Sequence, residues 1–103
     1  MNEEYKNLID ILTRSYIFSK REVSDAKNGF FYRRRSEVRN SMYIVNKIEK
    51  AVESLDEKSR IIIENEVMKR RSGKWYLEYF SKATYYRSRN EAYRQFLLEL
   101  EKK

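Results

Sequence analysis

A chain of 103 residues is long enough for one modest hydrophobic core and too short for two independent ones. Cysteine and histidine are both absent, which removes disulfide scaffolds, thiolate nucleophiles, zinc-finger spacings and imidazole general bases together. Lys and Arg number 23 against 16 Asp and Glu, and the resulting formal charge of +7 favours an anionic partner, nucleic acid before an acidic membrane surface.

The chain has no proline and only two glycines, Gly29 and Gly73, so its composition predicts an all-α fold. The opening MNEEYKNLID is acidic and amphipathic, unlike a signal peptide, and no apolar run approaches the roughly 18 residues of a membrane span. A cytoplasmic protein with no membrane partner is expected.

The first predicted element places Tyr5, Leu8, Ile9, Leu12, Tyr16, Val23 and Ala26 at three- and four-residue spacings, one amphipathic helix that ends near Asn28-Gly29. The second, from Phe30 or Tyr32 to Glu53, places Val38, Met42, Val45, Ile48, Val52 and Leu55 on one face, with Ile44 and Ala51 beside it. Residues 1–53 thus read as a helical hairpin that dimerises the protein, binds a polymerase or completes the core. The basic run Arg33, Arg34, Arg35 and Arg39 lies near the start of this second helix, where the macrodipole disfavours cations, and is a candidate second contact patch beside the plainer reading of a solvated face.

Ser54-Leu55-Asp56-Glu57 fits a capping box, with Ser54 as N-cap of a third helix that carries Leu55, Ile61, Ile62, Val67 and Met68 and stops near Gly73. Trp75 to Phe80 then predicts about two turns of a fourth helix, and Ser81 caps a fifth that runs to about Glu101. On this last helix Tyr85, the stem of Arg89, Ala92 and Phe96 face inward, while Lys82, Tyr86, Arg87, Asn90 and Arg94 face outward. The whole is a small bundle of about five helices, with residues 54–103 as its nucleic-acid-binding region within one domain.

Between Lys69 and Arg94 eight basic residues meet only Glu78 and Glu91. In a helix-turn-helix the second helix lies in the major groove and shows its N-terminal residues to base edges. On that template Lys82, Thr84, Tyr86, Arg87 and Asn90 are candidate base readers, since arginine bonds guanine and asparagine bonds adenine at two points. Lys69, Arg70, Arg71, Lys74, Ser81 and Arg94 are candidate phosphate contacts.

The run Ser81-Lys82-Ala83-Thr84-Tyr85-Tyr86-Arg87, followed by Arg89-Asn90-Glu91-Ala92 and Phe96, resembles the S-x-x-T-[VY]-x-R pattern of sigma factor region 4, and within it the ArpU/RinA-type phage late transcription regulators. The upstream stretch from Leu55 to Arg60 resembles the opening of that domain. The pattern is departed from at Tyr79, where the turn carries glycine, and at Trp75, where the preceding helix carries alanine. The resemblance covers the C-terminal half and implies a double-stranded DNA-binding regulator of a phage or prophage operon, acting in a bacterial or phage-infected cell, with RNA polymerase as a further partner and no catalysis.

Two other classes compete with a regulator: a small-terminase-like DNA-packaging protein, and a protein-binding module or inhibitor that uses a basic helical face. Packaging subunits place the motif before an oligomerisation region, whereas here it comes last. No nucleophile, base, metal or cofactor constellation is visible, and the carboxylates Asp56, Glu57, Glu64 and Glu66 read as solvated or capping. The aromatic residues, nine Tyr and five Phe, recur at helical spacing and read as core rather than as a base-stacking surface.

Overall fold

The computed structural model describes residues 3–28 and 35–102. These form four α-helices: α1 (Glu3–Asn28), α2 (Arg35–Glu53), α3 (Glu57–Ile63) and α4 (Lys82–Glu101). A π-helical turn, Glu64–Met68, continues α3 without a break, and a 3₁₀ turn, Trp75–Glu78, lies in the connection to α4. No strand occurs among the described residues.

α1 packs along α2 and also touches the π turn and α4, while α3 packs on α4. One apolar cluster joins these contacts, drawing Ile9 and Tyr16 from α1, Ile48 and Val52 from α2, Ile62 and Val67 from the third helix, and Tyr85 and Phe96 from α4. The core therefore draws on both sides of the 53/54 boundary.

Leu8 and Met42, placed on the predicted inner faces, lie outside this core. They are 40% and 44% exposed, because the apolar stripe of each helix is wider than the neighbour that covers it. Conversely Ile63 and Tyr93, missing from the predicted set, are buried.

The third helix is capped two residues after the predicted cap. Ser54 still belongs to the end of α2, its amide and hydroxyl both donating to the Lys50 carbonyl at 3.2 and 3.1 Å. Asp56 is the cap instead, with extended backbone and a carboxylate that accepts from the Ser59 amide at 2.8 Å. That bond holds the Asp56 carboxyl below its ordinary pKa.

The same helix ends at Met68, five residues before Gly73. Arg70 adopts a left-handed conformation, φ 51°, and the Arg71 amide turns back to the Asn65 carbonyl at 2.8 Å. Buried Asn65 makes this stop possible: its amide donates to the Ile61 carbonyl at 2.8 Å, and its side-chain oxygen accepts from the Arg71 guanidinium at 3.1 Å. Gly73, φ 73°, provides a second left-handed residue within the connection.

The two-turn helix expected over Trp75–Phe80 is a single 3₁₀ turn. Left-handed Gly73 aims the chain inward just before it, and the adjacent residues Trp75 and Tyr76 are both buried. Leu77 and Tyr79 donate amides to Lys74 and Tyr76, three residues back. The connection from the third helix to α4 thus spans residues 69–81, longer than the three- or four-residue turn of a standard helix-turn-helix.

Candidate nucleic-acid interface

α4 begins as its sequence predicts. Ser81 is extended and its hydroxyl oxygen accepts from the Thr84 amide at 3.2 Å, which leaves the first amides of the helix free at the surface. No acidic residue occupies the first turn. The helix's own first turn therefore does not offset the positive end of its dipole.

Burial divides the helix as expected. Tyr85, Ala92 and Phe96 are inside, and Ala83, Arg87, Asn90 and Arg94 are exposed along one stripe at spacings of four, three and four. Ala83 carries no bulk there, so a surface can approach the helix closely between Lys82 and Arg87. Tyr86, 52% exposed, has its ring pinned edge-on against Tyr76 and Tyr85, with centroids 5.8 and 5.0 Å away. Thr84 is half-buried, and its hydroxyl oxygen accepts from Ser81 at 2.9 Å, so it serves the cap.

The eight cations of the window fall into two groups. Arg71 is bound at two points by Glu78, at 2.6 and 3.1 Å, and Arg94 by Glu91, at 2.5 and 2.9 Å. Arg94 and Gln95 hold the Glu91 carboxyl down to about 2, and Arg71 lowers that of Glu78. Arg89 is turned inward and ties to Tyr93 at 2.9 Å and Glu66 at 3.8 Å. The others, Lys69, Arg70, Lys74, Lys82 and Arg87, are exposed and enter no ion pair among the described residues. Lys69, Arg70 and Lys74 lie in the connection, ahead of the N-terminus of α4, where Lys82 and Arg87 stand.

This basic face has an acidic border. A cleft between the start of α3 and the first turns of α4 is lined by Asp56, Glu57, Glu78 and Glu91 together with Lys58 and Arg87. In the other basic run, Arg39 is exposed on α2. Arg33 and Arg34, and the side chain of Arg35, lie outside the described residues.

Beneath the face lies a polar network that the sequence reading overlooked. Glu66, expected to be solvated, has a side chain only 11% exposed and accepts hydrogen bonds from the hydroxyls of Tyr85 and Tyr93. Burial, then Glu66, pushes the Tyr85 phenol well above its ordinary pKa, and the same two influences raise that of Tyr93. The guanidinium of Arg89 also stacks over both rings, 5.7 and 5.4 Å from their centroids. The only advance signal is the spacing of Tyr85, Arg89 and Tyr93, three polar-tipped side chains four residues apart on the inward side.

Among the described residues, no group of three acidic side chains gathers to hold a metal ion, and no helix is long and apolar enough to cross a membrane. No known protein family, characterised protein or solved structure matches the chain.

Proposed function

We propose that the protein is a sequence-specific double-stranded DNA-binding transcriptional regulator that lays the N-terminal half of α4 in the major groove. The observation that carries this reading is the pairing of an exposed stripe, Ala83, Arg87 and Asn90, with five exposed cations outside ion pairs, three in the connection before α4 and two on its first turns. In this reading Lys82, Tyr86, Arg87 and Asn90 meet base edges, and Lys69, Arg70, Lys74 and the Ser81 turn meet phosphates. Arg71 and Arg94 join them only by leaving Glu78 and Glu91.

The 3₁₀ turn takes the place of the first helix in a variant helix-turn-helix, anchored by Trp75 and Tyr76 beneath α4. The resemblance of residues 81–96 to sigma region 4 supports control of a phage or prophage operon, with RNA polymerase beside the protein on promoter DNA.

The test is selection of bound duplexes from a random library at about 0.15 M salt, followed by a salt titration on the winning and scrambled sequences. Enrichment of one motif with roughly a thousandfold preference is expected. Weak binding of all duplexes alike would overturn sequence-specific regulation.

A further inference from the structure

α1 carries a second apolar row that the core does not use. Ile9, Thr13 and Tyr16 point inward, whereas Leu8, Ile11 and Phe18 are 40%, 58% and 61% exposed. With Ser15 between them, these residues follow spacings of three, four and three, the a/d seam of a coiled coil. A helix of 26 residues, about 39 Å long, thus offers a narrow apolar ridge to the outside.

We infer that this ridge is a homodimer seam, occupied by α1 of a second copy running antiparallel. Charge decides both the occupant and the direction. Exposed Glu3 lies at one end of the helix, and exposed Arg14 and Arg21 lie toward the other, all on one flank of the ridge. In a parallel pair this flank faces the opposite flank of the partner, which carries Leu12 and Ser19 and offers these charges no counter-charge. An antiparallel pair centred near Thr13 brings Leu8 of either copy to Phe18 of the other, sets Ile11 against Ser15, and places Glu3 beside Arg21. The helix is complementary to itself only when reversed. Three large apolar side chains per copy make a seam smaller than a permanent dimer needs, so the association is weak and concentration-dependent.

This inference stands on α1 alone and is independent of DNA binding. Sedimentation equilibrium of the full chain, carried to about 0.5 mM, tests it. Mass rising toward twice that of the chain is expected, and Ile11→Lys with Phe18→Lys should abolish the rise while far-ultraviolet circular dichroism stays unchanged. Arg21→Glu should weaken association about three- to tenfold, and adding Glu3→Arg should restore it. A wild-type protein that stays monomeric throughout, or lysine variants that associate equally, would overturn the dimer. Failure of the double charge reversal to restore association would overturn the antiparallel pairing.

Discussion

Arg71 and Glu78 face each other across the connection into α4 in a two-point ion pair, 2.6 and 3.1 Å long, that removes one cation from the basic face. Glu78 is exposed and Arg71 half-buried at the surface, so the pair contributes little to folding. Glu78→Gln should therefore leave the unfolding midpoint nearly unchanged while it restores the net charge of Arg71, which keeps its hydrogen bond to Asn65. Affinity for DNA should rise, and the slope of log affinity against log salt should steepen by up to about one unit. Unchanged binding in a salt titration would place Arg71 outside the phosphate track.

Arg87 and Asn90 should separate from Lys69 and Lys74 in kind as well as in size. Arg87→Ala or Asn90→Ala should cost about 1 to 3 kcal/mol on the selected sequence and alter base preference. Lys69→Ala or Lys74→Ala should weaken binding to every duplex alike and lower the salt slope by about one. Competition binding with single-base variants of the site measures both. Uniform losses from all four would reduce α4 to a phosphate contact.

Glu66 accepts from two buried phenols, and breaking that set leaves a poorly hydrated carboxylate. Tyr93→Phe should destabilise the fold by about 1 to 3 kcal/mol in urea titrations, with Tyr85→Phe in the same range. The alkaline arm follows from sign. The Tyr85, Tyr93 and Tyr16 pKa values are raised above 10.0, so the stability linked to them is complete below that value and is lost as pH rises through the folded-state values. The double Phe variant, less stable at neutral pH, should lose stability less steeply above about pH 10, retaining the shares of Tyr16 and Tyr76.

At acid pH the cap of α3 should show itself. Asp56→Ala should cost about 1 kcal/mol at pH 7. The folded-state pKa of Asp56 is lowered from 3.8, so its contribution is present above that value and fades as pH falls through the folded value. Wild type and variant should converge there in thermal unfolding. A constant gap across that range would assign the loss to Asp56 packing rather than to its charge.

Where side-chain spacing is enough to fix a helix, the sequence was readable. α4 and its Ser81 cap, the ends of α1 at Asn28 and α2 at Glu53, and the inward turn of Arg89 all follow from periodicity and cap chemistry. The misreadings cluster between residues 54 and 80, where the outcome depends on competition between neighbours. Ser54 is a good cap residue, but it is consumed in ending α2, and Asp56 stands two residues on in the right backbone conformation. Gly73 is a good stop, yet Asn65 and a left-handed Arg70 end the helix first. Glu66 reads as a surface charge because its two tyrosine partners lie 19 and 27 residues away, beyond any local pattern. The basic face was visible as composition. That Glu78 and Glu91 each cancel a particular arginine required the fold.

The π turn at Glu64–Met68 works as a phase shift written into chain length. In a regular α-helix, residues five apart diverge by about 140°, so Ile62 and Val67 would look in different directions. Here the Lys69 amide reaches the Glu64 carbonyl, five residues back, at 2.9 Å, and Ile62 and Val67 are both fully buried. One extra residue in that turn brings a second apolar side chain back over the first and leaves Glu66 turned toward the tyrosines of α4. Residues 64–68 therefore behave as an insertion that the protein has come to depend on. Removing a single amino acid there would restore ordinary helical pitch, yet rotate everything downstream, the basic connection included, by more than a quarter turn relative to the core.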